Sequence, residues 1–73
     1  MKVAHVTIQT LPGRALVVAE RLAQAGGLRF HNDGDHRLTG RLDVLDEDTA
    51  EGLAEALQAF DGDIVRVYPM FAD

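Results

Sequence analysis

An alternating stretch, a helically spaced stretch and a second alternating stretch follow one another, and the whole series then repeats, all within 73 residues. From Val3 to Thr10 the period is two, with Ala4, Val6 and Ile8 on one side and His5, Thr7 and Gln9 on the other. That is the pattern of a strand with one buried face. Pro12 stops strand pairing and suits the first turn of a helix, where its missing N–H costs nothing. Ala15, Val18, Ala19 and Leu22 then recur at helical spacing, and Gly26-Gly27 closes the helix with backbone freedom that a Cβ would deny.

Leu28 and Phe30 alternate with Arg29 and His31, predicting a second strand over 28–32 that reaches the turn "NDGD" at 32–35, where Asp33-Gly34 is a hairpin signal. Leu38, Gly40, Leu42 and Val44 then alternate with Arg37, Thr39, Arg41 and Asp43. Gly40 in the middle of this third strand marks a close approach or a bulge. In "DEDTAEGLAEALQAFDG" Asp48 is the expected N-cap, with Glu51 three residues on, and Leu53, Leu57 and Phe60 form the expected buried stripe. Val65 and Val67 alternate with Arg66 and Tyr68 in a fourth strand that Pro69 is expected to end, leaving Met70 to Asp73 as a tail.

The order β-α-β-β-α-β in two similar halves is that of the ferredoxin-like split βαβ sandwich, an α+β fold. A chain of this size has room for one domain, 1–73, because it buries only about 60% of the surface it exposes when unfolded. Right-handed crossovers give an antiparallel four-stranded sheet in the order 4-1-3-2 with both helices on one face. The other face is then uncovered. His5, Thr7 and Gln9 look out from its central strand, beside Arg37, Thr39, Arg41 and Asp43 on one flank and Arg66 and Tyr68 on the other.

Several function classes find no support in the residues. There is no cysteine, hence no disulfide, thiolate metal site or Cys nucleophile, and no serine, hence no Ser-His-Asp triad. His31 and His36 flank the hairpin turn near Asp33 and Asp35 and could become cross-strand neighbours, but a zinc site needs three or four converging ligands. "NDGDH" falls short of an EF-hand loop, and neither "LPGR" nor "AGGL" has the spacing of a phosphate loop. No cofactor, no metal and no catalytic residue is expected. The net charge is −5, and residues 46–63 hold seven acids with no Lys or Arg, the usual makeup of a solvated helix face and a poor one for nucleic acid. No stretch approaches the roughly 20 apolar residues of a membrane span, and Met1-Lys2-Val3 does not open a secretory signal, so a cytoplasmic protein without a membrane partner is expected. What remains is a donor-rich open face carrying Arg29, Arg37, Arg41 and Arg66 together with His5 and Gln9. Arginine and tyrosine are enriched where proteins bind partners.

"HVTIQT" at 5–10 resembles the first strand of the NapD chaperones, and "IVRVYPM" at 64–70 resembles their last, which ends in Val-Tyr. The intervening helix, Gly-closed end, hairpin and acidic "LDEDTAEGLAEAL" are similar to theirs in length and order, so the resemblance spans nearly the whole chain. It departs at His5, where the family has a small residue, and at Pro69, where a His is common. The resemblance implies a cytoplasmic, non-enzymatic chaperone that binds the twin-arginine signal peptide of a molybdenum-containing periplasmic nitrate reductase catalytic subunit and delays its export until the cofactor is inserted. It also implies that the peptide becomes helical against the chaperone. His5, Thr7 and Gln9 of the first strand and Arg66 and Tyr68 of the last would line the contact, with Thr39, Arg41 and Asp43 beside them. Because Arg37, Arg41 and Arg66 repel arginines, the peptide's arginine pair is expected near Asp43 or the acidic second helix, and its apolar segment on the sheet.

Two other readings fit the same order of elements. One is an ACT-like ligand-binding regulatory domain using the "TLPGR" loop, which an amino-acid-induced rise in melting temperature would favour. The other is an accessory or self-associating subunit whose open sheets pair, which a concentration-independent dimer would favour.

Overall fold

The computed structural model describes residues 2–72. The elements run β1 (Lys2–Thr10), α1 (Ala15–Gly26), β2 (His31–Asn32), β3 (Arg37–Val44), α2 (Glu47–Phe60) and β4 (Ile64–Ala72). They form one antiparallel sheet in the order β2-β3-β1-β4, the ferredoxin-like α+β arrangement that the alternation implied. Ala4, Val6 and Ile8 of β1, Leu38 and Val44 of β3 and Val67 of β4 close with Ala15, Val18 and Leu22 of α1 and Ala50 and Leu57 of α2 into a single core. Both helices therefore lie on one face of the sheet.

Four local expectations are corrected. Pro12 is not in the helix: Arg14 N–H donates to Leu11 O at 3.1 Å and Gly13 has φ +77°, so Pro12-Gly13 makes a turn of type II pattern and α1 starts only at Ala15. The N-cap of α2 is Asp46, not Asp48; its carboxylate accepts from Thr49 N–H at 2.7 Å and from the Thr49 hydroxyl at 2.8 Å. These bonds hold the Asp46 carboxyl below its usual range. The expected strand at 28–32 pairs only at His31 and Asn32, although Leu28 and Phe30 still pack against the core. Phe60, expected inside, is 46% exposed, and Ala50 and Ala54 take up the stripe with Leu53 and Leu57.

β4 differs most. Thr10 opposes Ile64 while Gln9 opposes Arg66, so Val65 is an extra residue, a bulge that re-phases the strand. Ile64 and Val67 turn inward and Val65 is left 46% exposed, against the simple alternation. Pro69 does not end the pairing. It lies opposite Val6, and the ladder continues to Ala72, because β4 is an edge strand on which an outward-facing position needs no N–H donor. Phe71, opposite Ala4, belongs to the core side and not to the open face.

Candidate functional site

The register of three ladders lays out the uncovered face as rows. In one, Gln9 stands between Arg37 and Arg66; in the next, Thr7 stands between Thr39 and Tyr68, with His31 beyond Thr39. In the third, His5 stands between Arg41 and Met70, and in the last Val3 faces Asp43. All eight of His5, Thr7, Gln9, Thr39, Arg41, Asp43, Arg66 and Tyr68 thus share one face. The reason is the period of two: residues an even number apart on a strand point the same way, and antiparallel pairing carries that parity to the next strand.

Two shallow depressions lie side by side on this surface. One, of about 580 Å³, is walled by Thr7, Gln9, His36, Arg37, Tyr68 and Met70. Tyr68 is 39% exposed and Met70 67%, so apolar surface is offered there to solvent. Arg66 lies over the Tyr68 ring, its guanidinium carbon 5.7 Å from the centroid, and donates to the phenolic oxygen at 3.3 Å. This contact stiffens a ring with an apolar body and a polar tip. Met70 was missed because Pro69 reads as a terminator; continuing the period of two past it puts Met70 beside Tyr68.

The other depression, of about 620 Å³, is walled by His5, Thr7, Arg29, His31, Thr39 and Arg41. His31 opposes Thr39 and not His36, so the two histidines are not cross-strand partners. His36 Nδ1 instead lies 2.9 Å from Asp35 Oδ1, a contact that draws the Asp35 carboxyl below its usual range. Among the described residues no three His, Asp or Glu side chains converge on a common metal position.

The basic residues divide cleanly. Lys2 pairs with Glu47, Arg14 with Asp63, Arg21 with Asp61 and Asp63, and Arg37 with Asp33. These pairs clamp the ends of elements. Arg14, the cation of the "TLPGR" loop, is held 3.0 Å from Asp63. Arg29, Arg41 and Arg66 have no carboxylate partner among the described residues, and all three are on the open face. Among the described residues Asp43 is the one carboxylate that the strands carry there, and it sits at the end nearest Asp46, Glu47 and Asp48. Among the described residues no helix is long and apolar enough to cross a membrane. Compared with family models, with curated proteins and with solved structures, the chain matches none.

Proposed function

We propose that this protein is a non-catalytic binding protein that captures a peptide on its open sheet face, and specifically a NapD-like chaperone for the twin-arginine signal peptide of a molybdenum-containing periplasmic nitrate reductase catalytic subunit. The observation that supports the reading is the gathering of His5, Thr7, Gln9, Thr39, Arg41, Asp43, Arg66 and Tyr68 on one face that neither helix covers, with Tyr68 and Met70 exposed among them. An amphipathic peptide helix lays its apolar side on Tyr68, Met70 and the aliphatic stems of Arg37 and Arg66. His5, Thr7 and Gln9 supply hydrogen bonds that set its orientation. No covalent step is involved.

Charge sets the direction of the peptide. Its arginine pair is repelled by Arg66 at one end of the face and by Arg41 nearer the middle, neither of which has a carboxylate partner among the described residues, and is attracted by Asp43 and the neighbouring Asp46 and Asp48 at the other end. Ordering a flexible peptide costs about 2 to 5 kcal/mol, which favours micromolar affinity and ready release to the export machinery. Such a chaperone works in the cytoplasm, before export.

The test is calorimetry with a synthetic peptide carrying an arginine pair followed by an apolar helical segment, together with a pull-down from the native host. Saturable binding, and recovery of an unexported molybdoenzyme precursor, are expected. An absence of binding by the intact peptide at about 100 μM, roughly a hundred times weaker than the micromolar affinity expected here, overturns the reading.

A further inference from the structure

Twelve acids outnumber seven basic residues in this chain, so an arginine here has carboxylates in surplus to pair with. Four of the seven are so paired. Arg29 and Arg41 are not, among the described residues, and they meet in the same depression as His5, His31, Thr7 and Thr39. Among the described residues the walls of that depression hold two guanidinium groups, two imidazoles and two hydroxyls, and no carboxylate. Each imidazole, neutral or charged, has an N–H to donate, and each threonine hydroxyl can donate as well.

We propose that this depression is a binding site for a small soluble phosphate, free or as a monoester, held between Arg29 and Arg41 with hydrogen bonds from His5, His31, Thr7 and Thr39. Two guanidinium groups offer a charge of +2 and ten N–H donors in planar forks, which match a dianion with three or four oxygens better than a single carboxylate. The register brings the donors together from three strands: His5 opposes Arg41, Thr7 opposes Thr39, and His31 opposes Thr39 from the far side. The acids of α2 stand on the other layer of the molecule. At physiological ionic strength, where the screening length is about 8 Å, their repulsion is weakened across the sheet. Asp43, two residues from Arg41, bounds the site on one side and is not among its walls.

The site shares His5, Thr7, Thr39 and Arg41 with the face proposed for the peptide, but it needs no peptide to form and is tested without one. Inorganic phosphate is titrated into the full chain at fixed ionic strength and followed by amide chemical shifts, with glycerol phosphate, acetate and chloride as parallel probes. Saturable shifts at His5, Thr7, His31 and Thr39 are expected, at least tenfold weaker in Arg29→Gln/Arg41→Gln, whose two exposed positions leave folding intact, and unchanged in Lys2→Ala. Tighter binding of glycerol phosphate identifies a monoester as the ligand, and equal binding identifies the phosphate group alone; both support the site. Non-saturating shifts, shifts matched by chloride, acetate binding as tight as phosphate, or an unaltered titration in the double variant each overturn it.

Discussion

Gly40 presents a bare Cα to the ring of Phe30: a Cβ at that position would fall 2.5 Å from Phe30 Cδ1 and 2.8 Å from Cε1. Of the two readings the sequence left for Gly40, a close approach or a bulge, the first holds: β3 pairs with β1 through Gly40 without a shift of register, and the approaching group is an aromatic side chain from the irregular segment before β2. The ring covers the gap that a glycine leaves in the sheet and joins the partly buried shell of the core. Gly40→Ala must displace that ring, or the Arg29 carbonyl 3.3 Å away, and is expected to cost about 1 to 3 kcal/mol in urea unfolding. Phe30→Leu in the same chain should recover part of the loss, since the shorter side chain frees the space.

Tyr68 and Met70 stand on the open face beside Thr7 and His5. Truncating an exposed residue of this kind leaves stability within about 0.5 kcal/mol, whereas losing an aromatic anchor at an interface costs more than about 1 kcal/mol of binding. Tyr68→Ala is therefore expected to weaken peptide capture about tenfold or more in calorimetry, with Met70→Ala acting in the same direction and both variants melting like the parent. Unchanged affinity in both would remove this half of the face from the contact.

Asp43 is placed to receive the cationic end of the bound peptide. Asp43→Asn should weaken binding of the arginine-bearing peptide and leave binding of a version with both arginines replaced by glutamine untouched. The difference should shrink as salt is raised, because an exposed charge contact is screened.

The carboxyl of Asp61 is held below its usual range, first by the hydrogen bond from Arg21 at 2.8 Å and then by the Asp63 N–H. A carboxyl with a lower pKa folded than unfolded stabilises the fold fully above the ordinary value of 3.8, and this contribution is lost as pH falls through the folded value. Unfolding followed from pH 7 to pH 2 should show stability falling on the acid side, and Asp61→Asn should be less stable at neutral pH with a shallower acid limb. Identical limbs in the two proteins would assign the acid sensitivity to other carboxylates.

Asp46 and not Asp48 caps α2, so the two neighbouring acids should respond differently to truncation. Asp46→Ala leaves the Thr49 N–H without its acceptor and is expected to lower the melting temperature by about 5 °C. Asp48→Ala should have little effect. The reverse order would mean that the helix begins two residues later in solution.

Much of this protein follows from its sequence, because hydrophobic period is a local property that burial enforces. The alternation along each strand, as in His5, Thr7 and Gln9 against Ala4, Val6 and Ile8, and helical stripes such as 15-18-19-22 predict the element order and the side of the sheet to which each proposed contact residue belongs, and the right-handed crossover rule adds the strand order. Where the sequence misled, long-range packing had overruled a local signal. Pro69 is a pairing stop only if its missing N–H is needed, and the position of β4 at the sheet edge means that it is not. Asp48, with Glu51 three residues on, reads locally as the cap, but the end of β3 turns the chain so that Asp46 takes that place.

The bulge at Val65, the extension that brings Met70 alongside His5, the closing of the Phe30 ring over Gly40, and the distribution of carboxylates that leaves Arg29 and Arg41 unpaired among the described residues were decided only in three dimensions. Each depends on which surfaces meet across the sheet, and distances between residues remote in sequence are not encoded in the spacing along any one element.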